Sequence, residues 1–406
     1  MAHDPLVSRR AVLRAAALGA GGLVLGACVP SSSAPTAAPG SAGASANPSQ
    51  PPPSTAATPG GSASAIPLRQ RIARLLVVGF RGLRVSADDW IAQAIAVDGL
   101  GGVILFDKDR VEATRNVRTP RQVTRLIGDV RTLAPARELI VAIDQEGGQV
   151  TRLSPTYGFP ALASEAAIGP KTDAEVRAWA DGLVATLADV GINLNLAPVV
   201  DLNINPRNPA IGALGRAFSA DPAVVAKDAA IENQAHRMAS IRTTLKHFPG
   251  LGSASTNTDF GVSDVTSTWT AAELDPYRAL LGQGLVDVVM AGHVVNGQID
   301  HSAPASLSRG TVTDLLRDEL GWDGVVITDD LQAGAITEAF GAEDAVALAL
   351  DAGNDLLLFA NQQVYDPAVV TNTIDLIEGF VTSGRIPEAR IDRSYARVTS
   401  LFPDVG

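Results

Sequence analysis

Gly324-Val325-Val326-Ile327-Thr328-Asp329-Asp330-Leu331 is a short β-branched run that stops on a pair of carboxylates. So apolar a run has no polar face to offer solvent and reads as a strand covered on both sides, the condition of a parallel sheet. Seven other runs share this form, at residues 75–80, 102–106, 139–144, 192–201, 243–248, 286–294 and 355–360. Amphipathic stretches with helix-start signals lie between several of them. Asp173-Ala174-Glu175-Val176 opens a helix predicted to end about residue 190, and Asp221-Pro222 opens one that passes His236. Further helices are predicted over 311–319 and 342–352, and Thr270-Ala271-Ala272-Glu273 has the spacing of a capping box. Strand-then-helix order repeated eight times predicts an α/β fold, a closed (β/α)8 TIM barrel, with an open doubly wound sheet as the alternative.

In such a barrel the chemistry sits on the loops that follow the strands. The strand ends here carry Asp107, Asp144, Asp201, Lys246 with His247, His293, Asp329 and Asn361. Any one of them is explained by a wet strand end; the whole ring points to one polar mouth. The segment Lys246-His247-Phe248-Pro249-Gly250-Leu251-Gly252 is the densest part of it and leads through a Ser/Thr/Asn loop to Asp259. Adjacent cationic groups at a buried strand end need anionic or hydroxyl-rich partners, because desolvating them unpaired is costly.

The ring narrows the chemistry. No glycine-rich loop has the spacing of a phosphate or dinucleotide cradle, and His293 and His301 lack the clustering of metal ligands, so no cofactor or metal is expected. Two carboxyl groups flanking a glycosidic bond are the usual equipment of a glycosidase. Asp329, last in its strand and directed into the mouth, is the candidate nucleophile, and Asp330 is expected to cap or orient the next segment.

The ends of the chain speak to location. Ser8-Arg9-Arg10 precedes a short apolar stretch ending Leu25-Gly26-Ala27-Cys28, which resembles a twin-arginine export signal with a lipobox. The stretch is well short of the ~20 residues that span a bilayer. Cys28 is the only cysteine, so its expected use is lipidation and membrane attachment. The expected organisation is an export signal at 1–27, a tether at 28–67 and one catalytic domain at 68–406. From Val29 to Pro67 there is no charged residue, only a composition rich in Ala, Ser, Pro, Gly and Thr that is predicted to stay disordered. The chain has 32 Lys and Arg against 43 Asp and Glu, a formal charge of −11, which becomes −13 without the three arginines and one aspartate of residues 1–27. An acidic exported protein of this kind is not expected to bind nucleic acid. A monomer is expected, lipid-anchored to the outer face of the cell membrane and facing the wall.

Four motifs then carry a resemblance. Asp144-Gln145-Glu146-Gly147-Gly148-Gln149-Val150-Thr151-Arg152, Gly215-Arg216-Ala217-Phe218, Lys246-His247-Phe248-Pro249-Gly250 and Thr328-Asp329-Asp330-Leu331 resemble, in order and spacing, the single-domain bacterial β-N-acetylglucosaminidases of glycoside hydrolase family 3. The resemblance covers residues 68–406. It implies removal of terminal N-acetylglucosamine from cell-wall muropeptides or related glycans through a covalent glycosyl-aspartate. Asp329 would be the nucleophile, while Asp144, Arg152, Arg216, Lys246 and His247 would grip the sugar. Glu146, Asn195 and Asp201 would support them from behind.

One loop departs from the pattern. Where the resemblance implies an Asp-Ser-His whose histidine is the acid/base, this chain has Asn257-Thr258-Asp259. Two readings stand: Asp259 is the acid/base, delivered by a mobile loop that holds it far from Asp329 when no sugar is bound, or the acid is lost and the protein is a sugar-binding lipoprotein. A β-glucosidase or a phosphorolytic variant is the other enzymatic alternative.

Overall fold

The computed structural model describes residues 66–111 and 114–404. The export signal, the tether and Cys28 therefore lie outside the described residues. Eight parallel strands form one sheet: β1 Leu76–Gly79, β2 Gly102–Leu105, β3 Ile140–Ile143, β4 Leu194–Asn195, β5 Arg242–Phe248, β6 Val288–Ala291, β7 Val325–Thr328 and β8 Leu357–Phe359. Each of β1 to β6 pairs with the next, and β8 returns to pair with β1, Leu76 opposite Leu357. An Ile327–Leu356 bridge and the bond from Thr328 N to Leu356 O (3.0 Å) close β7 onto β8. The barrel expected from the repeated strand–helix order is thus present.

Continuous apolar runs became strands because both faces are covered. Every residue of β1, β2, β3, β6 and β7 is buried. Val326 and Ile327 are wholly buried, and each such side chain contributes about 1.5–3 kcal/mol by leaving water. Among the described residues, the helices of eight residues or more are α1 Pro120–Thr132, α2 Asp173–Val190, α3 Pro222–Met238, α4 Asp275–Gly282, α5 Gly310–Glu319, α6 Gly341–Ala352, α7 Val369–Thr382 and α8 Glu388–Leu401. In α1 the buried stripe is Val123, Leu126, Ile127 and Val130, the i, i+3, i+4, i+7 spacing of one helix face. Thr172 and Glu175 form a reciprocal capping box on α2, and Asp221 caps α3 by accepting from Ala223 N (2.9 Å).

Two local expectations change. The run 192–201 is a strand only at Leu194–Asn195, because Pro198 has no N–H for a ladder and the chain bends there before touching β5 again at Val199 and Lys246. Thr270 does not cap by its side chain. Glu273 turns inward instead, and its carboxylate accepts from Gly252 N (3.2 Å) at the root of the loop after β5.

Closure of the barrel depends on Asp355, whose side chain is fully buried just before β8. It accepts from Arg317 Nη2 (2.6 Å), Ser394 Oγ (2.6 Å) and Val326 N (3.1 Å), with Arg397 at 3.3 Å. One carboxylate therefore fastens α5, α8 and β7 together. Asp355→Ala leaves a buried cationic cluster unmatched and is expected to cost about 3–5 kcal/mol in urea unfolding, whereas substitution of the exposed Asp375 stays within about 1 kcal/mol.

Candidate functional site

At the C-terminal ends of the strands lies a cavity of about 270 Å³ whose walls include Asp144, Arg152, Arg216, Lys246, His247, Asp259 and Asp329. Residues scattered over almost 200 positions converge there because each follows, or ends, a barrel strand.

The floor is an ion lattice. Lys246 is 2% exposed, and its Nζ lies 2.9 Å from Asp144 Oδ1 and 2.6 Å from Glu146 Oε1. Arg216 grips Glu146 with both ends of its fork, Nε to Oε2 at 2.7 Å and Nη2 to Oε1 at 2.8 Å. Arg152 reaches Asp144 Oδ2 at 3.4 Å. Burial alone would raise both carboxyls. The ammonium of Lys246 and then Arg152 outweigh it for Asp144, holding it well below the usual carboxylate range, and Arg216 and then Lys246 bring Glu146 down to about 2. Burial works against the charge on Lys246 as well, but Asp144 and Glu146 raise its pKa, so Lys246, Arg216, Asp144 and Glu146 all stay charged.

His247 is held from behind. Its Nδ1 lies 2.7 Å from Asp201 Oδ2, and the same carboxylate accepts from Leu251 N (2.7 Å), tying the imidazole to the start of the loop. Its Nε2 is turned toward Arg216 at 3.4 Å. The Lys246–His247 peptide is cis, and both side chains reach the cavity.

Asp329 stands across the cavity. Its Oδ1 accepts from Asp330 N (2.9 Å). Burial pushes Asp329 up, but the neighbouring imidazoles of His293 and His247 and the Asp330 N–H bring its pKa below the ordinary value. Asp330 accepts from Ala360 N (2.9 Å) and Gln332 N (3.1 Å), the orienting part expected of it, and burial raises it to about 7. His293 has both ring nitrogens engaged, with Ser306 Oγ and the Asp330 carbonyl at 2.7 Å each. A carbonyl can only accept, so Nε2 carries a proton, while Nδ1 is engaged by the serine hydroxyl.

The loop after β5 closes over this floor. Gly250, at φ +126°, occupies a conformation that side chains rarely adopt, and a Cβ there would stand 2.5 Å from Glu273 Oε2. At the tip Asn257 Oδ1 accepts from Asp259 N (2.9 Å), and the Asp259 carboxyl faces the cavity. The crowded mouth and then the Asp329 charge raise the Asp259 pKa, although part of the residue remains open to solvent. Asp259 and Asp329 line one cavity, and two main-chain bonds, to residues 334 and 335, seat the loop tip over its mouth.

The polar ring read from the strand ends divides in two. Asp144, Lys246, His247 and Asp329 line the cavity, while Asp201 and His293 brace them. Asn361 does not face the cavity; it is buried and ties its own loop by accepting from Asp366 N (2.7 Å). Asp107 stands behind Arg152, 4.0 Å away. Asn195 bonds Gln145 and His236 behind the floor. Glu165 and Glu232, both buried, escaped the sequence reading because each lies in a stretch that looks like ordinary helix surface, and Glu273 was read only as part of a capping box. Burial pushes Glu165 and Glu232 well up, helped for Glu165 by the charges of Glu232 and Glu146 and for Glu232 by that of Glu146.

Residues 67–401 match the glycosyl hydrolase family 3 N terminal domain. The chain is 33% identical over 362 residues to the beta-hexosaminidase LpqI of Mycobacterium tuberculosis, covering 86% of this chain and 87% of that protein. It is similar to the solved structure of a glycoside hydrolase family 3 beta-N-acetylglucosaminidase from Paenibacillus, with a TM-score of 0.76, 34% identity, and coverage of 83% of this chain and 62% of that longer one. A beta-N-acetylhexosaminidase from Beutenbergia cavernae gives a TM-score of 0.72 at 32% identity, covering 82% of this chain and 98% of the other.

Glu273 yields a test that needs no substrate. Burial first, and the Asp201 charge next, raise its pKa to about 8 from an ordinary 4.5. The folded state therefore binds a proton more tightly than the unfolded one, and the stability Glu273 contributes, complete below pH 4.5, falls away as pH rises toward 8. Glu273→Gln is expected to flatten the pH dependence of unfolding free energy across that window.

Proposed function

The chain belongs to glycosyl hydrolase family 3, and on that premise we propose that it removes terminal β-linked N-acetylglucosamine from cell-wall muropeptides or related glycans, with retention of configuration. It is a glycosidase of the β-N-acetylhexosaminidase type. The observation that carries the finer reading is the convergence of Asp329 and Asp259 on one cavity from two different loops, beside the charged floor of Asp144, Lys246 and Arg216.

In this reading Asp329, kept ionised by its imidazole and amide neighbours, attacks the anomeric carbon. Asp259, whose pKa is pushed upward by crowding and by the Asp329 charge, gives its proton to the departing glycosidic oxygen. In the second half-reaction the Asp259 carboxylate takes a proton from water as the water oxygen bonds to the anomeric carbon and the bond to Asp329 breaks. Two carboxyls sharing a site divide their titrations in the direction this sequence of steps needs. The floor supplies the grip: Asp144 accepts from sugar hydroxyls, while Arg152, Arg216 and Lys246 donate in directions set by their carboxylate partners. His247, oriented by Asp201, adds a further hydrogen-bonding nitrogen.

Export and attachment to the outer face of the membrane through a lipidated Cys28 belong to the same proposal, supported by Ser8-Arg9-Arg10 and the Leu25 to Cys28 sequence. Cys28→Ala is expected to move the exported protein from the membrane fraction to the soluble fraction; an unchanged distribution refutes the anchor.

Release of a chromophore from an aryl β-N-acetylglucosaminide tests the chemistry. Asp329→Ala is expected to lower kcat by about 10⁴-fold or more, and Asp259→Asn by roughly 10²–10⁴-fold with partial recovery in azide. The wild-type descending pH limb should lie on the acidic side and vanish in Asp259→Asn. Sugar binding by calorimetry without turnover of any aryl glycoside would instead assign a carbohydrate-binding lipoprotein.

A further inference from the structure

The tip of the loop after β5 is carried by main-chain atoms, and its seat lies on the far side of the mouth. Gly334 N donates to Asp259 O (3.0 Å) and Ala335 N donates to Thr258 O (3.2 Å). These donors open the short helix Gly334–Thr337, whose first N–H groups have no acceptor within the helix. The loop carbonyls supply what the helix lacks, so the contact satisfies both partners.

The seat is rigid and continuous with β7. From Asp329 the chain passes through Leu331, whose N–H is held by Leu358 O (3.0 Å), and Ala333, whose N–H is held by Asp330 O (2.9 Å). The tip has a fixed shape of its own, because Asn257 accepts from Asp259 N through its side chain and from Phe260 N through its carbonyl (3.1 Å). What sets the distance between tip and seat is a missing side chain. A Cβ on Gly334 would stand 3.0 Å from the Phe260 carbonyl carbon and 3.1 Å from the oxygens of Asp259 and Phe260, closer than ordinary contact. Gly334 is not among the residues with positive φ. Glycine is also among the poorest helix formers, about 1 kcal/mol worse than alanine in a helix interior. Neither backbone conformation nor helix propensity calls for glycine here; the approach of the loop does.

We propose that Gly334 is a positioning residue for the reaction: it lets the backbone of residues 258–260 rest on the segment leaving β7, and so sets Asp259 against Asp329. This rests on the reading of Asp259 as acid/base and Asp329 as nucleophile. Both carboxyls are then referenced to one rigid piece of backbone, although they belong to different strands' loops.

The distinguishing experiment compares two aryl N-acetylglucosaminides, one with a dinitrophenyl leaving group that departs without a proton and one with an unactivated phenyl group. Gly334→Val is expected to lower kcat/KM on the phenyl glycoside about tenfold or more while leaving the dinitrophenyl value within about threefold, the pattern of a displaced acid. Gly334→Ala should show the same pattern more weakly with an unlowered melting temperature, and it carries the comparison should the valine variant not fold. Asp259→Asn supplies the reference pattern. Equal loss on both substrates, or no loss on either, while Asp259→Asn shows the leaving-group split, overturns the positioning role and leaves the acid assignment standing. If Asp259→Asn shows no split, the acid assignment fails and the role of Gly334 falls with it.

Discussion

A lysine ammonium buried at the end of a barrel strand cannot exist without its counter-charges, and the site is arranged around that constraint. Lys246 is stabilised by Asp144 and Glu146, and Glu146 by the fork of Arg216. Removing any one member would leave a buried charge uncompensated, which is far more costly than the net worth of the pairing. The lattice therefore fixes the positions of its hydrogen-bonding atoms before any ligand arrives. That is the arrangement electrostatic preorganisation calls for: donors and acceptors already in place, with no reorganisation at the moment of reaction.

Against this fixed floor the two proposed reactive carboxyls are governed differently. Asp329 belongs to the barrel and is tuned by buried imidazoles and an amide. Asp259 belongs to a loop, is partly open to solvent, and takes its upward shift from crowding and from Asp329 itself. The loop is nonetheless well rooted. Asp201, Glu273, Asn205 and Asn208 all bond its first residues, and its tip rests on the segment after β7. Asp201 serves two masters, orienting His247 and anchoring Leu251, so the floor and the root of the loop share one carboxylate.

The barrel was legible because an apolar run of five to ten residues between amphipathic helices admits few other structures. Helix starts at Asp173 and Asp221 were legible because start signals are local, although the cap of the first proved to be Thr172. Thr270 and Glu273 misled for the complementary reason: the capping-box spacing is present, but a buried N–H at Gly252 claims the carboxylate instead. Asn361 likewise stands at a strand end, yet its amide is spent on its own loop. Glu165 and Glu232 were illegible because helical spacing cannot reveal that a helix face presses onto another charged layer.

By itself the sequence determined the repeated strand and helix order, the polar strand ends, the family motifs and the replacement of an expected histidine by Asp259. All of these are properties of short windows, where periodicity, capping and residue chemistry act over a few positions. Only the tertiary structure decided which polar residues face the cavity and which brace it, that Lys246 is shared by two carboxylates, and that the Asp259 loop rests on Gly334. Those outcomes depend on distances between residues 75 to 102 positions apart in the chain. The folding of the barrel brings them within a few ångströms, and desolvation then gives each contact a weight that no local pattern carries.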